Sequence, residues 1–334
     1  MNLYSTLKEL CLCPSVSGRE NKIREKISKL IKPFCDTVEV DALGNLCAVK
    51  KGRGAGKRIM LAAHMDEIGF MVTFIEDSGM LRVATVGGIN LTAAAFSSVV
   101  SENGVKGALV PEDKIKPQDF KADSFYIDIG AKTKKQAESR VRIGDFFVLT
   151  PHLEKLSGSR VCGRPLDNRI GCTALLAIAE RLAGEELDAD VYYVFSAQEE
   201  VGCRGAMTAA FSIKPDIALC IDVTATGDTL GASPMVCKLG GGAAVKIKDA
   251  SVICNPDIVK ELCDIAENKK IAYQREILLY GGTDTSSMQL AGAGAKAGAV
   301  SIPTRYIHSG NETCDLDDAS ACIELISEFI KAVN

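Results

Sequence analysis

The sequence predicts an α/β fold, a mixed sheet flanked by helices and interrupted by a small β-rich insert. Three observations carry this reading. Segments of helical period alternate with short apolar runs over residues 1–69 and again over 162–334. Between them, residues 70–161 hold short strand-like runs punctuated by glycines, with no long helical pattern. A chain of 334 residues is also long enough to bury a dry core without disulfide staples.

The elements follow in order. Leu3, Leu7 and Leu10 have i, i+4, i+7 spacing and predict a first helix; Ile23, Ile27, Leu30 and Ile31 predict a second. Ser17-Gly18-Arg19-Glu20 before the second helix fits a capping box, with Ser17 serving first-turn amides and Glu20 reaching back. Strands at 38–40 and 46–49 flank a turn at Gly44-Asn45, and a Gly/Lys loop at 51–58 follows. Ile59-Met60-Leu61-Ala62-Ala63 then reads as a buried strand. Within the insert, strands are expected at 69–75, 80–86, 97–101, 105–110, 125–129 and 145–149. After Arg164, a buried helix face is marked by Leu175, Ile178 and Leu182. Strands recur at 191–195, 217–221, 243–247 and 298–302, with further helices at 258–266 and 321–332.

Composition narrows the function. Lys+Arg of 39 against Asp+Glu of 43, with 47% hydrophobic residues, excludes a disordered tail, a collagen-like rod and a basic nucleic-acid binder. The uncharged stretch 83–101 is too polar and broken for a membrane span, and Lys8 and Glu9 interrupt any signal-peptide core. A cytoplasmic location, with no membrane or nucleic-acid partner, is the expectation. The thirteen cysteines are odd in number and form no Cys-x-x-Cys pair, so buried free thiols are expected rather than a disulfide framework. A zinc knuckle or a nucleophilic thiol are the alternatives.

Three histidines in the chain focus the search for chemistry. His64 follows directly on the run 59–63, and Asp66 two residues later can share its side of an extended chain. A carboxylate beside an imidazole fixes its tautomer and strengthens it as a metal ligand, although such a pair also occurs as plain structure. Asp167, in Leu166-Asp167-Asn168-Arg169, precedes the helix of Leu175, where an N-cap aspartate is the alternative. Glu199 and Glu200 end another apolar run; adjacent carboxylates there repel, and a bound cation would relieve the cost unless the loop is simply solvated. Asp222 closes the run 217–221, and His308 lies beyond 298–302. His152, beside Pro151 and Glu154 in the insert, reads as a surface histidine.

Together these signals are stronger than any one alone. His64, Glu199, Glu200, Asp222 and His308 fall at or beyond the carboxyl ends of predicted strands, the edge where open α/β sheets place ligands. Two imidazoles and several carboxylates suffice for a binuclear centre with one bridging group. Such a donor set suits zinc, cobalt or manganese in a hydrolytic role. Gly240-Gly241-Gly242 and Gly281-Gly282-Thr283-Asp284 match no Walker or Rossmann phosphate pattern.

The motifs Ala63-His64-Met65-Asp66-Glu67, Leu166-Asp167-Asn168-Arg169, Gln198-Glu199-Glu200-Val201-Gly202 and Ile221-Asp222-Val223-Thr224 resemble the M42 family of metallo-aminopeptidases. So do Gly281-Gly282-Thr283-Asp284 and the segment 301–309 with His308, so that the similarity spans nearly the whole chain. The resemblance implies a zinc-peptidase domain (1–69 and 162–334) interrupted by a PDZ-like oligomerisation domain (70–161). It further implies two divalent ions, zinc or cobalt with manganese possible in their place, hydrolysing N-terminal residues from short peptides. His64 and Asp222 would hold one ion, Glu200 and His308 the other, and Asp167 would bridge them. Glu199 would be the general base, Asp66 would orient His64, and Gly281, Gly282, Thr283 and Asp284 would lie near the substrate. The implied assembly is a tetrahedral homododecamer. One departure stands after His308, where Ser309-Gly310-Asn311-Glu312 replaces a more apolar continuation. Two rivals remain: a metal-independent endoglucanase-type glycosidase, disfavoured by the absence of tryptophan platforms, and a non-catalytic metal-bound assembly protein, which would have no use for Glu199.

Overall fold

The structure, a computed structural model, describes residues 1–54 and 56–333; Ala55, in the expected loop 51–58, and Asn334 lie outside the described residues. The chain opens with α1 (Leu3–Cys11) and α2 (Asn21–Ile31), then β1 (Thr37–Val40), β2 (Leu46–Lys50) and β3 (Arg58–His64). Next come β4 (Gly69–Ile75), β5 (Leu81–Val86), α3 (Leu91–Ala94), β6 (Ser98–Ser101), β7 (Lys106–Pro111), β8 (Phe125–Asp128), α4 (Lys134–Glu138) and β9 (Phe146–Leu149). The return passes through β10 (His152–Lys155), β11 (Arg160–Arg164), α5 (Arg169–Leu182), β12 (Asp190–Ser196), α6 (Arg204–Ile213) and β13 (Ile217–Thr224). It finishes with β14 (Ala243–Lys248), α7 (Pro256–Lys269), β15 (Tyr273–Ile277), α8 (Thr285–Gln289), β16 (Lys296–Arg305), β17 (Glu312–Asp315) and α9 (Leu316–Ala332).

Eleven strands form one mixed sheet in the order β1-β2-β12-β3-β13-β16-β17-β11-β10, with β14 and β15 branching from β16. Its centre, β12-β3-β13-β16, is parallel, the strands continuing the sheet on either side turn antiparallel, and the branching β14 runs antiparallel to β16 but parallel to β15. Parallel strands buried on both faces need continuous apolar sequence, which is why 59–63 carries no polar residue. Its side chains alternate: Ile59, Leu61 and Ala63 join the core under α1, α2, α5, α7 and α9, whereas Met60 and Ala62 face a second core with α6 and α8. That second core is lined largely by alanines, including Ala206, Ala209, Ala210, Ala218, Ala297 and Ala299, so the helices covering it can approach closely. Helix α5 begins against the sheet. Asn168 caps it by accepting from the Gly171 amide at 3.0 Å, and a Cβ at Gly171 would lie 2.0 Å from that same oxygen.

Strands β4 to β9 close into a separate antiparallel six-stranded barrel with its own core of Phe70, Leu109, Phe125 and Phe147. Residues 152–161, counted above with the insert, instead form with 162–164 the β10–β11 hairpin at the edge of the large sheet. His152 therefore pairs with Arg164 in that sheet, half-buried, and is not a surface residue of the barrel. The expected capping box is also absent. Helix α2 is capped at Glu20 without a side-chain bond, because Ser17 donates to Asp66 and Glu20 accepts from Gly18 and Gln198. Tertiary partners took both side chains. The thirteen cysteines are free thiols, nine of them buried. Among the described residues no helix is long and apolar enough to cross a membrane.

Candidate metal centre

Strand register sets the first half of the site. His64 ends β3 opposite Ser196 of β12, and Asp222 lies in β13 opposite Ser301 of β16. This brings His64 Nε2 to 3.1 Å from Asp167 Oδ1 and 3.7 Å from Asp222 Oδ1. The other ring nitrogen, Nδ1, faces the Asp66 backbone carbonyl at 3.2 Å. A carbonyl can only accept, so Nδ1 carries a proton, and Nε2 is the nitrogen that would bind a cation on losing its own.

Loops supply the second half. His308 Nε2 lies 3.2 Å from both Asp167 Oδ2 and Glu200 Oε2. Asp167 thus turns one oxygen to each half. Two clusters of potential ligand atoms result, His64/Asp167/Asp222 and Asp167/Glu200/His308, within each of which the atoms lie within 4.8 Å of one another. A third group, Glu199/Cys203/Asp284, adjoins them.

Asp66 ties the two halves together. Fully buried, it accepts from the amides of Glu199 (3.0 Å) and Glu200 (3.1 Å) and from the Ser17 hydroxyl (2.6 Å). Those amides fix the path of the Gln198–Glu200 turn, whose Gln198 sits at a left-handed φ of 57°. His308 is left-handed as well, at φ 62°. Non-glycine residues adopt this conformation when surrounding bonds over-determine it. For His308 the determinant is Glu312. Its Oε1 accepts from the His308 amide at 3.0 Å, and its Oε2 from Leu166 at 2.6 Å and Asp167 at 3.1 Å. Sequence reasoning selected none of Ser17, Glu20 and Glu312 for the site; it read Ser17 and Glu20 only as a helix cap. For Glu312 the available signal was a carboxylate four residues after a candidate ligand histidine.

The electrostatics call for cations. Burial pushes the Glu199 and Glu200 carboxyls up, and neighbouring carboxylates add to it. Burial raises Asp222 too, and Glu312 to about 7. Burial draws His308 down, but its bonds to Asp167 and Glu200 outweigh this and lift it to about 11; His64 is likewise carried well above its usual value by Asp167, Asp222 and Asp66. Protons on the imidazoles thus do what a divalent ion does better. The residues fit such an ion: Glu200 Oε1 is buried without a partner, and the donors are nitrogen and carboxylate oxygen, the set zinc and cobalt take.

A cavity of about 490 Å³ opens onto the clusters. Gly281, Gly282 and Thr283 line it, as do Val223, Ala225, Leu278, Tyr280 and Ile307, and Gly88 reaches it from the barrel's β5–α3 loop. Asp284 is the exception among the four expected substrate residues; it is buried behind the wall and bonded to Ser196.

The profile of the family described as M42 glutamyl aminopeptidase matches residues 44–325. A protein of Acetivibrio thermocellus is 46% identical over 98% of this chain and 98% of its own length. The lysyl aminopeptidase of Pyrococcus furiosus is 33% identical over 98% of this chain and 96% of its own. Among solved structures, the Pyrococcus horikoshii TET1 peptidase, described as able to assemble into a tetrahedron or a large octahedral shell, is similar at a TM-score of 0.89. It is 35% identical, with 99% of this chain and 100% of that one covered.

Proposed function

The chain belongs to the M42 glutamyl aminopeptidase family, and we propose that it is a two-metal aminopeptidase removing N-terminal residues from short peptides. The observation that carries this is Asp167, with one carboxylate oxygen turned to each of two ligand clusters. His64 and Asp222 would hold one ion and Glu200 and His308 the other, with zinc or cobalt favoured and manganese admissible. When bound, the ions supply Lewis acidity and lower the pKa of water toward ~7.

The chain's own residues do the rest. Glu199 stands outside both clusters, so its carboxylate is free to take the proton of the attacking water and return it to the leaving amine. Asp66 keeps Glu199 and Glu200 at a fixed spacing through their amides and turns Oδ1 to His64 Nδ1 at 3.5 Å. Carboxylates crowding the cleft favour a cationic α-amine at the same place, which orients the first residue of a peptide. Residues 1–69 and, with the β10–β11 hairpin returned to it, 152–334 would form the zinc-peptidase domain, and the barrel a PDZ-like module contributing to a dodecameric assembly. Exposed Leu230, Val236, Leu279 and Tyr280 are apolar surface that such an assembly would cover. A cytoplasmic location accords with this reading.

The test is a matched pair of oligopeptides, one with a free α-amine and one N-acetylated, incubated with metal-stripped and metal-reloaded protein beside a soluble cellulose. Stepwise N-terminal loss from the free peptide alone, and only with metal, is the expected result. Cleavage of both peptides, internal cuts, or release of sugar without metal would refute the proposal. A monomer in light scattering at micromolar concentration would refute the assembly.

A further inference from the structure

We propose that Glu199, Cys203 and Asp284 form a third, inhibitory site for zinc, separate from the two ion positions; this rests on the reading of Glu199 as the base. The sulfur of Cys203 lies 3.3 Å from Glu199 Oε1, and ligand atoms of all three residues lie within 4.8 Å of one another. Zinc–sulfur and zinc–oxygen bonds of ~2.3 and ~2.0 Å at a tetrahedral angle set a sulfur–oxygen edge of ~3.5 Å, close to that observed. The second, independent observation concerns Asp284. It is fully buried, and while Oδ2 accepts from Ser196, Oδ1 has no hydrogen-bond partner among the described residues. A buried carboxylate oxygen left without a donor is costly, and a cation satisfies it.

Access and consequence follow from position. Glu199 and Cys203 line the cavity, so an ion entering the cleft meets them first, with Asp284 behind. Binding displaces the thiol proton of Cys203 to solvent and forms a zinc–thiolate bond, so the site fills more readily as pH rises. With an ion on its carboxylate, Glu199 can no longer accept a proton from water. Excess zinc therefore stops the enzyme without removing either working ion. Cys203 also sits at a left-handed φ of 51° as the N-cap of α6, where its side chain makes no cap hydrogen bond.

The test uses the full-length protein with cobalt(II) and zinc as probes, comparing wild type with Cys203→Ser and Cys203→Ala. In a cobalt titration, wild type should gain near-ultraviolet thiolate-to-cobalt absorption after the second equivalent, and neither variant should. With two ions bound, added zinc should suppress wild-type turnover, while both variants keep basal turnover and need at least ~10-fold more zinc for the same loss. No thiolate band in wild type at saturating cobalt, a band that persists in the variants, or unchanged zinc inhibition would overturn the proposal. The absorption titration needs no peptidase activity, so failure of the aminopeptidase reading and failure of the third site are distinguishable.

Discussion

The two halves of the proposed metal centre are built by different means. His64 and Asp222 stand on adjacent parallel strands, 2% and 4% exposed, where backbone register alone sets their separation. Glu200 and His308 stand on loops, and the His308 side chain is 32% exposed. Their placement depends on side chains that grip backbone amides, Asp66 for Glu200 and Glu312 for His308. Strand ladders are cooperative and hard to distort locally, whereas a loop held by one carboxylate fails when that carboxylate changes. The buried half should therefore hold its ion more tightly than the open half.

The largest expected effect comes from removing what the halves share. Asp167→Ala should lose both ions in elemental analysis and lower turnover beyond the ~10²–10⁴-fold that a base alone supplies. Retention of both ions would break the idea of a common bridge. Next comes Glu199→Gln, which should keep both ions yet lose ~10²–10⁴-fold in kcat, since an amide hydrogen-bonds but takes no proton. More than about a tenth of wild-type turnover, a deficit under ~1.4 kcal/mol, would remove Glu199 from the role of base.

Glu312→Gln sharpens the comparison. Its new NH₂ group must face a backbone N–H; turned to the single His308 amide rather than to the two amides of Leu166 and Asp167, it loosens His308 while leaving the strand-held half in place. One ion should then weaken by ~10–100-fold, as measured by competition with a chelator, and the other change little. Wild type under the same chelator should release its ions in two phases; equal loss of both from the variant would contradict the asymmetry. The smallest effect belongs to Ser17→Ala, which deletes one bond to the buried Asp66 carboxylate. Denaturant unfolding should show a loss of about 1.5–3 kcal/mol, with both ions retained.

The same contrast explains what the sequence made legible. The central strands were readable because burial on both faces forces an unbroken apolar run, and the end of each run marked the sheet edge where His64, Glu199, Glu200 and Asp222 stand. Strands β10, β15 and β17 were not, since His-Leu-Glu-Lys, Tyr-Gln-Arg-Glu-Ile and Glu-Thr-Cys-Asp show charged residues at or near sheet edges, where one face meets solvent or polar neighbours. Helix α6 was overlooked although Ala206, Ala209, Ala210 and Ile213 follow helical spacing, because alanine carries so weak an apolar signal. Ser17 and Glu20 misled for a different reason. Their spacing fits a local cap, but the deciding bonds come from Asp66 and Gln198, distant in sequence. Glu312 likewise acts on Leu166, 146 residues away, a relation no local pattern records.

The sharing of Asp167 by two ions is tested most directly by anomalous diffraction from crystals loaded with two equivalents of zinc. Two peaks are predicted, one among His64, Asp222 and Asp167 Oδ1, the other among Glu200, His308 and Asp167 Oδ2, the second of lower occupancy. A single peak, or two peaks of which one lies away from Asp167, would contradict it.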